Sequence, residues 1–161
     1  MRLARLSKSN IRIMIRIASG CFDKKYVEKE VRKWYDKRID GSYREINPVL
    51  EYFLIVEKNE PIGITGFFNF ADDPDFFWLA YFGVIKQERN KGVGSEILRR
   101  TILASEKYGC RNFGVWTSSK KAGVFYEKNE FIKGRSKKTI VVNGKIIYRY
   151  PKGTVFFYRN A

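Results

Sequence analysis

Val84-Ile85-Lys86-Gln87-Glu88-Arg89-Asn90-Lys91-Gly92-Val93-Gly94-Ser95 joins an apolar, aromatic run, Phe76 to Val84, to a segment with helical spacing. A buried strand feeding a basic, glycine-bearing turn and then a helix makes a site for phosphates. The helix start offers unpaired backbone N–H groups and the positive end of the helix dipole. Gly92 and Gly94 let the backbone approach an anion with no Cβ in the way. Arg89 and Lys91 add charge. The stretch lacks the Gly-x-x-x-x-Gly-Lys-Ser/Thr of a P-loop, and Arg89-x-x-Gly92-x-Gly94 falls short of a dinucleotide fingerprint.

Outward from this turn the elements can be placed. Phe76 to Ile85 reads as one central strand, apolar almost throughout and therefore covered on both faces. Gly92 to Tyr108 reads as the main helix, with Val93, Ile97, Thr101 and Ala104 on one side and Gly109 ending it. Asn112 to Thr117 is a second buried strand, Lys120 to Lys128 a short helix, and Thr154 to Tyr158 the last strand. Thr139–Val142 and Ile146–Tyr148 flank Asn143-Gly144, which predicts a hairpin at about 136–150. Upstream, Asp72-Asp73-Pro74-Asp75 is an acidic turn, and Glu51–Glu57 pairs antiparallel with Ile62–Phe70. Residues 2–6 form a short strand. Ser9-Asn10 caps a helix carrying Ile11, Met14, Ile15, Ala18 and Phe22, and Asp23 starts another with Val27, Val31, Trp34 and Tyr35.

The 161 residues, 44% hydrophobic, suit one domain spanning 1–161 with its own core. No run of about 18 apolar residues is present, so no membrane span is expected. The start, Met1-Arg2-Leu3-Ala4-Arg5, lacks an apolar core long enough for a signal peptide, so none is expected, and two cysteines are too few for a disulfide framework. A cytoplasmic setting is expected. The absence of His excludes His-based catalysis, and no metal site is expected. The net charge of +15 favours anionic ligands, nucleic acid among them, or reflects a solvated Lys-rich surface.

Val84 followed five residues later by Arg89-x-x-Gly92-x-Gly94 resembles motif A of the GCN5-related N-acetyltransferases, the GNAT superfamily. Lys86 stands where that family often has Pro, and Asn90 where it often has Gly. Ala122-Gly123-Val124-Phe125-Tyr126-Glu127-Lys128-Asn129-Glu130-Phe131 is similar to its motif B, with Glu130 in place of the usual Gly and Ser119 in place of a frequent Asn. The resemblance implies an α/β (α+β) GNAT fold, a mixed, mostly antiparallel sheet of about seven strands with helices on both faces. It also implies acetyl-CoA as co-substrate and direct transfer of the acetyl group to a primary amine, on a small molecule or a protein, in a ternary complex.

The cofactor-binding residues so implied are Phe82, Val84, Ile85, Arg89, Asn90, Lys91, Gly92, Val93, Gly94, Ser95, Ser119 and Lys128. Backbone near Val84 would pair with the pantetheine arm, exposed by a splay between Phe76–Ile85 and Asn112–Thr117. Tyr126 stands at the family's motif B Tyr, as general acid or as a packing residue. Ser119 is a cofactor contact or a helix cap. The base stays open: Asp75 through a water, Asp72, Asp73, Glu51, or no dedicated group. The extra hairpin would lie beside the substrate site or at a homodimer contact. Two alternatives remain at this level: a basic nucleic-acid or ribosome-associated module, and an acyl-CoA-binding domain without turnover.

Overall fold

The computed structural model describes residues 1–41, 44–134, 139–142, 145–150 and 152–160. β1 (Arg2–Arg5) pairs antiparallel with β2 (Leu50–Glu57), and β2 with β3 (Glu60–Phe70). Between β1 and β2 run α1 (Ile11–Cys21) and α2 (Lys24–Asp40). β4 (Asp73–Leu79) continues the antiparallel meander, and β5 (Gly83–Val84) returns to β3 farther along. α3 (Val93–Glu106) crosses over to β6 (Asn112–Thr117), which lies parallel to β4. α4 (Lys120–Lys128) and β7 (Ile132–Gly134) follow. β8 (Thr139–Val142) and β9 (Lys145–Arg149) form a separate antiparallel pair, and β10 (Val155–Asn160) inserts between β6 and β7. Among the described residues the main sheet has eight strands, ordered β1-β2-β3-β4-β6-β10-β7, with β5 on β3. The Asn143-Gly144 turn lies outside the described residues.

Strand alternation sorts the sheet into two faces. Tyr52, Leu54, Val56 and Ile64 point to one face and bury Met14, Ala18, Val27, Val31 and Trp34 of α1 and α2. Phe53, Phe67, Phe77, Leu79, Phe113, Val115 and Phe157 point to the other, against Leu98 and Ile102 of α3 and Tyr126 of α4. Thr65 is a polar exception on the α3 face. Its hydroxyl meets that of Thr101 at 2.9 Å, and Thr101 donates to the Ile97 carbonyl, so the buried pair is satisfied within α3.

Four local readings differ. The run Phe76 to Ile85 is two strands, because Ala80, Tyr81 and Phe82 stand opposite only Thr65 and Gly66 of β3, a bulge that puts Tyr81 at φ 38°. Asp73, Pro74 and Asp75 belong to β4, and the turn is at Ala71 and Asp72. Asn10 does not cap α1: its side chain accepts the Ser7 N–H and donates to the Arg5 carbonyl, locking the link from β1. β7 is an additional strand. Asp23 does cap α2, accepting the Lys25 N–H at 2.9 Å.

Candidate active site

β4 and β6 run side by side for three registered pairs, Phe76 with Asn112, Phe77 with Phe113 and Trp78 with Gly114. Beyond them the strands part. β5 stays with β3, while Val115 to Thr117 stays with β10. A wedge therefore opens in the middle of the sheet, starting at the bulge. Tyr81 and Phe82 straddle it: the Tyr81 ring packs on Trp34 of α2, and the Phe82 ring stacks on Phe125 of α4 at 5.7 Å.

The glycine turn sits at the mouth of this wedge. Ile85 donates its N–H to the Ile62 carbonyl, so by alternation the Val84 N–H and carbonyl face the wedge. Arg89 folds back and donates Nε to that Val84 carbonyl at 2.7 Å. One of the backbone groups expected to meet the pantetheine arm is thereby engaged by the chain's own arginine. Gly92 holds φ 75°, and a Cβ built on it would meet nothing within 4 Å. It is the N-cap residue of α3, with no side chain capping the helix. The N–H groups of Val93, Gly94 and Ser95 are thus without intrahelical partners. Gly94 is small for a different reason: its Cβ would approach Phe125 at 3.3 Å. Asn90 and Lys91 are exposed, with Lys91 Nζ 3.3 Å from Glu88.

Glu96, in the first turn of α3, would oppose an anion there. Hydrogen bonds from Arg99 and Arg100 turn it away and lower its pKa to about 2. Cys21, at the end of α1, lies against the backbone of β5: a Cβ on Gly83 would meet Cys21 Cβ at 2.7 Å. Burial pushes the Cys21 thiol up, and the adjacent Arg89 guanidinium opposes that shift.

α4 forms the far bank. Ser119 caps it, its Oγ accepting the Ala122 N–H at 3.3 Å. Gly123 lets the helix settle on the Phe157 ring. Tyr126 is buried between Phe125, Phe131 and Phe157. Its hydroxyl makes no hydrogen bond among the described residues, yet it is not sealed from solvent. Burial raises its pKa well above the ordinary phenol value, so it stays protonated. Helical side chains lean toward their helix N-terminus, which for α4 is the wedge end.

Phe82, Val84, Ile85 and Arg89 to Ser95 follow one another on one bank of the wedge, and opposite them α4 carries Ser119 at its start and Tyr126 next to the Phe125 that meets Phe82 and Gly94. Other sequence candidates lie elsewhere. Lys128 is exposed at the opposite end of α4. Asp75 sits at the start of β4, its carbonyl bonded to the Arg111 N–H and its carboxylate 3.6 Å from the Arg111 side chain. Strand direction puts it, with Asp72 and Asp73, at the end away from the wedge. Glu51 faces the α3 side, bonded to Arg5 at 2.7 Å. The same Arg5 reaches Tyr108, past the C-terminal end of α3. Sequence alone places Asp72, Asp73 and Asp75 in a turn before the central strand, and only the topology decides which end of that strand adjoins the wedge. Phe125 was missed as a site residue; its place next to Tyr126 was the available signal.

An acetyltransferase (GNAT) domain model matches residues 49–133, more than half of the chain. No curated protein matches it in sequence. Among solved structures, an acetyltransferase from Thermus thermophilus superposes with a TM-score of 0.72 at 16% identity, covering 99% of this chain and 96% of that one. RimL, a ribosomal-protein alpha-N-acetyltransferase in complex with coenzyme A, gives 0.69 at 17% identity, with 98% and 92% covered. A spermidine N-acetyltransferase chimera from Vibrio cholerae and hSSAT gives 0.71 at 12% identity, with 99% and 96% covered. At these identities the superpositions speak for the fold.

Proposed function

The chain belongs to the GNAT acetyltransferase family, and on that premise we propose that it moves the acetyl group of acetyl-CoA to a primary amine by direct attack in a ternary complex. The wedge between β5 and β6, with the uncapped glycine-bearing start of α3 at its mouth, carries this reading. The chemistry of the donor set fits coenzyme A. Three N–H groups and an open Gly92 suit a pyrophosphate, and Asn90 and Lys91 border it. The Val84 N–H is available to an extended arm as an added strand would use it. RimL binds coenzyme A on the same fold.

In this reading the acceptor first loses a proton to water, since none of the four carboxylates considered from the sequence borders the wedge. The neutral nitrogen forms its bond to the thioester carbonyl carbon. Backbone N–H groups of the Phe82 to Val84 segment steady the developing oxyanion. The C–S bond then breaks, and Tyr126 gives its phenolic proton to the departing sulfur. The amide nitrogen releases its second proton, which restores Tyr126 through water. The net products are an N-acetyl amide, coenzyme A and one proton. An acetyl-transfer assay over a panel of amines tests the reading: acetylated product is expected with at least one amine, and saturable acetyl-CoA binding with no product from any would reduce the domain to an acyl-CoA binder.

The +15 charge favours a second reading, a polyanion contact on the same scaffold. It does not compete with the first for the wedge, because the charges are spread along the chain.

A further inference from the structure

The α3–α4 side of the wedge is closed by the Phe82–Phe125 stack and is the side from which the glycine turn would hold a donor. An acceptor is left the opposite side, beneath α1 and α2. That side is aromatic. Trp34 stacks on Tyr52 at 4.1 Å and 7°, and Tyr81 lies on Trp34 at 4.1 Å and 56°, with Phe22 edge-on to Tyr81 at 5.3 Å. Gly66 makes room for the Tyr52 ring, since a Cβ there would come within 2.6 Å of it. Trp34 and Tyr52 are buried, but Tyr81, held at φ 38° by the bulge, keeps 36% of its surface exposed. It presents a ring beside the bulge where the wedge begins.

One carboxylate accompanies these rings. Glu30 lies three residues after buried Val27 and four before buried Trp34, on the sheet-facing stripe of α2, and it is half-buried. Burial pushes the Tyr52 phenol up, and the neighbouring Tyr81 and then Glu30 add to that shift. Lys33 stands one turn along, yet among the described residues Glu30 makes no ion pair. In a chain with 32 basic residues to 17 acidic ones, a half-buried carboxylate left to aromatic neighbours has an open place for a cation.

We propose that Glu30 and the exposed Tyr81 ring recognise the acceptor, and that the acceptor is a small primary amine with an apolar body, met as its ammonium form. The inference rests on the acetyltransferase reading and supplies its substrate class. Glu30 gives the ammonium a charge-assisted hydrogen bond, and the Tyr81 face gives it a cation–π contact while packing the carbon chain. Amines that carry a carboxylate beside the nitrogen, such as free amino acids, bring that charge against Glu30 and are disfavoured. Glu30 acts here in recognition and positioning and takes no step in the acyl transfer.

The test compares the unaltered protein with Glu30→Gln, Glu30→Asp and Tyr81→Leu, using acetyl-CoA and phenethylamine, hexylamine, putrescine, spermidine and phenylalanine as acceptors. Phenethylamine or hexylamine is expected to be the best acceptor and phenylalanine the worst. Glu30→Gln should raise the amine KM about tenfold or more by losing a charged partner, with kcat and acetyl-CoA affinity little changed. Glu30→Asp should recover part of that loss, and Tyr81→Leu should raise the KM of the same amines. An amine KM unmoved in Glu30→Gln, or a preference for phenylalanine, overturns the inference alone, whereas bound acetyl-CoA with no turnover of any amine overturns the acetyltransferase reading and the inference with it. Failure of the unaltered protein to bind acetyl-CoA would overturn the acetyltransferase reading and this inference with it.

Discussion

Two residues at the wedge carry distinct physical tasks. Gly92 is confined by φ 75°, not by space, since nothing lies within 4 Å of a Cβ there. Gly92→Ala should therefore cost about 1 kcal/mol of stability from the left-handed backbone, seen as a lower melting temperature, and weaken acetyl-CoA binding where a methyl meets the phosphates. Tyr126 is confined by packing. Tyr126→Phe should keep the fold and the acetyl-CoA affinity and lower kcat by about a hundredfold; an unchanged kcat would leave Tyr126 a packing residue. The raised Tyr126 pKa has a clear sign. Its phenol stays neutral through the alkaline range where an ordinary tyrosine ionises, so the rate should rise as the amine deprotonates and show no alkaline fall near the ordinary tyrosine pKa.

At the level of elements, α3 is fastened to β3 by a directional pair of hydroxyls. Thr101 donates to the Ile97 carbonyl, so in the contact between the two hydroxyls Thr65 is the donor. Thr101→Val strands a buried donor and should cost about 1–3 kcal/mol, whereas Thr65→Val removes the donor with it and should cost less. Denaturant melts of the two variants check the asymmetry. The first turn of α3 adds a pH term. The Glu96 carboxylate, lowered from 4.5 to about 2, contributes stability above pH 4.5 that is lost as the pH falls toward 2. For so exposed a network it is worth about 1 kcal/mol or less, and Glu96→Gln should flatten that part of the acid-unfolding curve.

For the molecule as a whole, the local signals were the legible ones. The glycine turn, the Asp23 cap and the antiparallel β2–β3 pair follow from neighbours in sequence, and two motifs in order along the chain were enough to name the family's fold. The bulge at Ala80 to Phe82 was not legible. A continuous apolar run looks like one strand, and the break depends on β3 having two residues where β4 and β5 have three. The carboxylates depend on the same long-range pairing: Asp75 precedes the wedge in sequence but lies at the far end of β4, and Glu51, level with Leu79 through Phe67, is held by Arg5 on the α3 face. Glu30 was passed over because it stands on a basic helix, where its spacing to Val27 and Trp34 was the only hint. The net charge belongs to this scale too. If it is a solvated surface, single-stranded RNA retained at low salt should be released by about 0.15 M salt; retention there would indicate a dedicated polyanion site.

The central claim is that the wedge and its glycine turn hold a coenzyme A thioester. Isothermal titration of the intact chain with acetyl-CoA tests it most directly. Saturable binding to a single site, weakened by Gly92→Ala and unaffected by Tyr126→Phe, is the predicted result. No detectable binding at near-millimolar acetyl-CoA would contradict it.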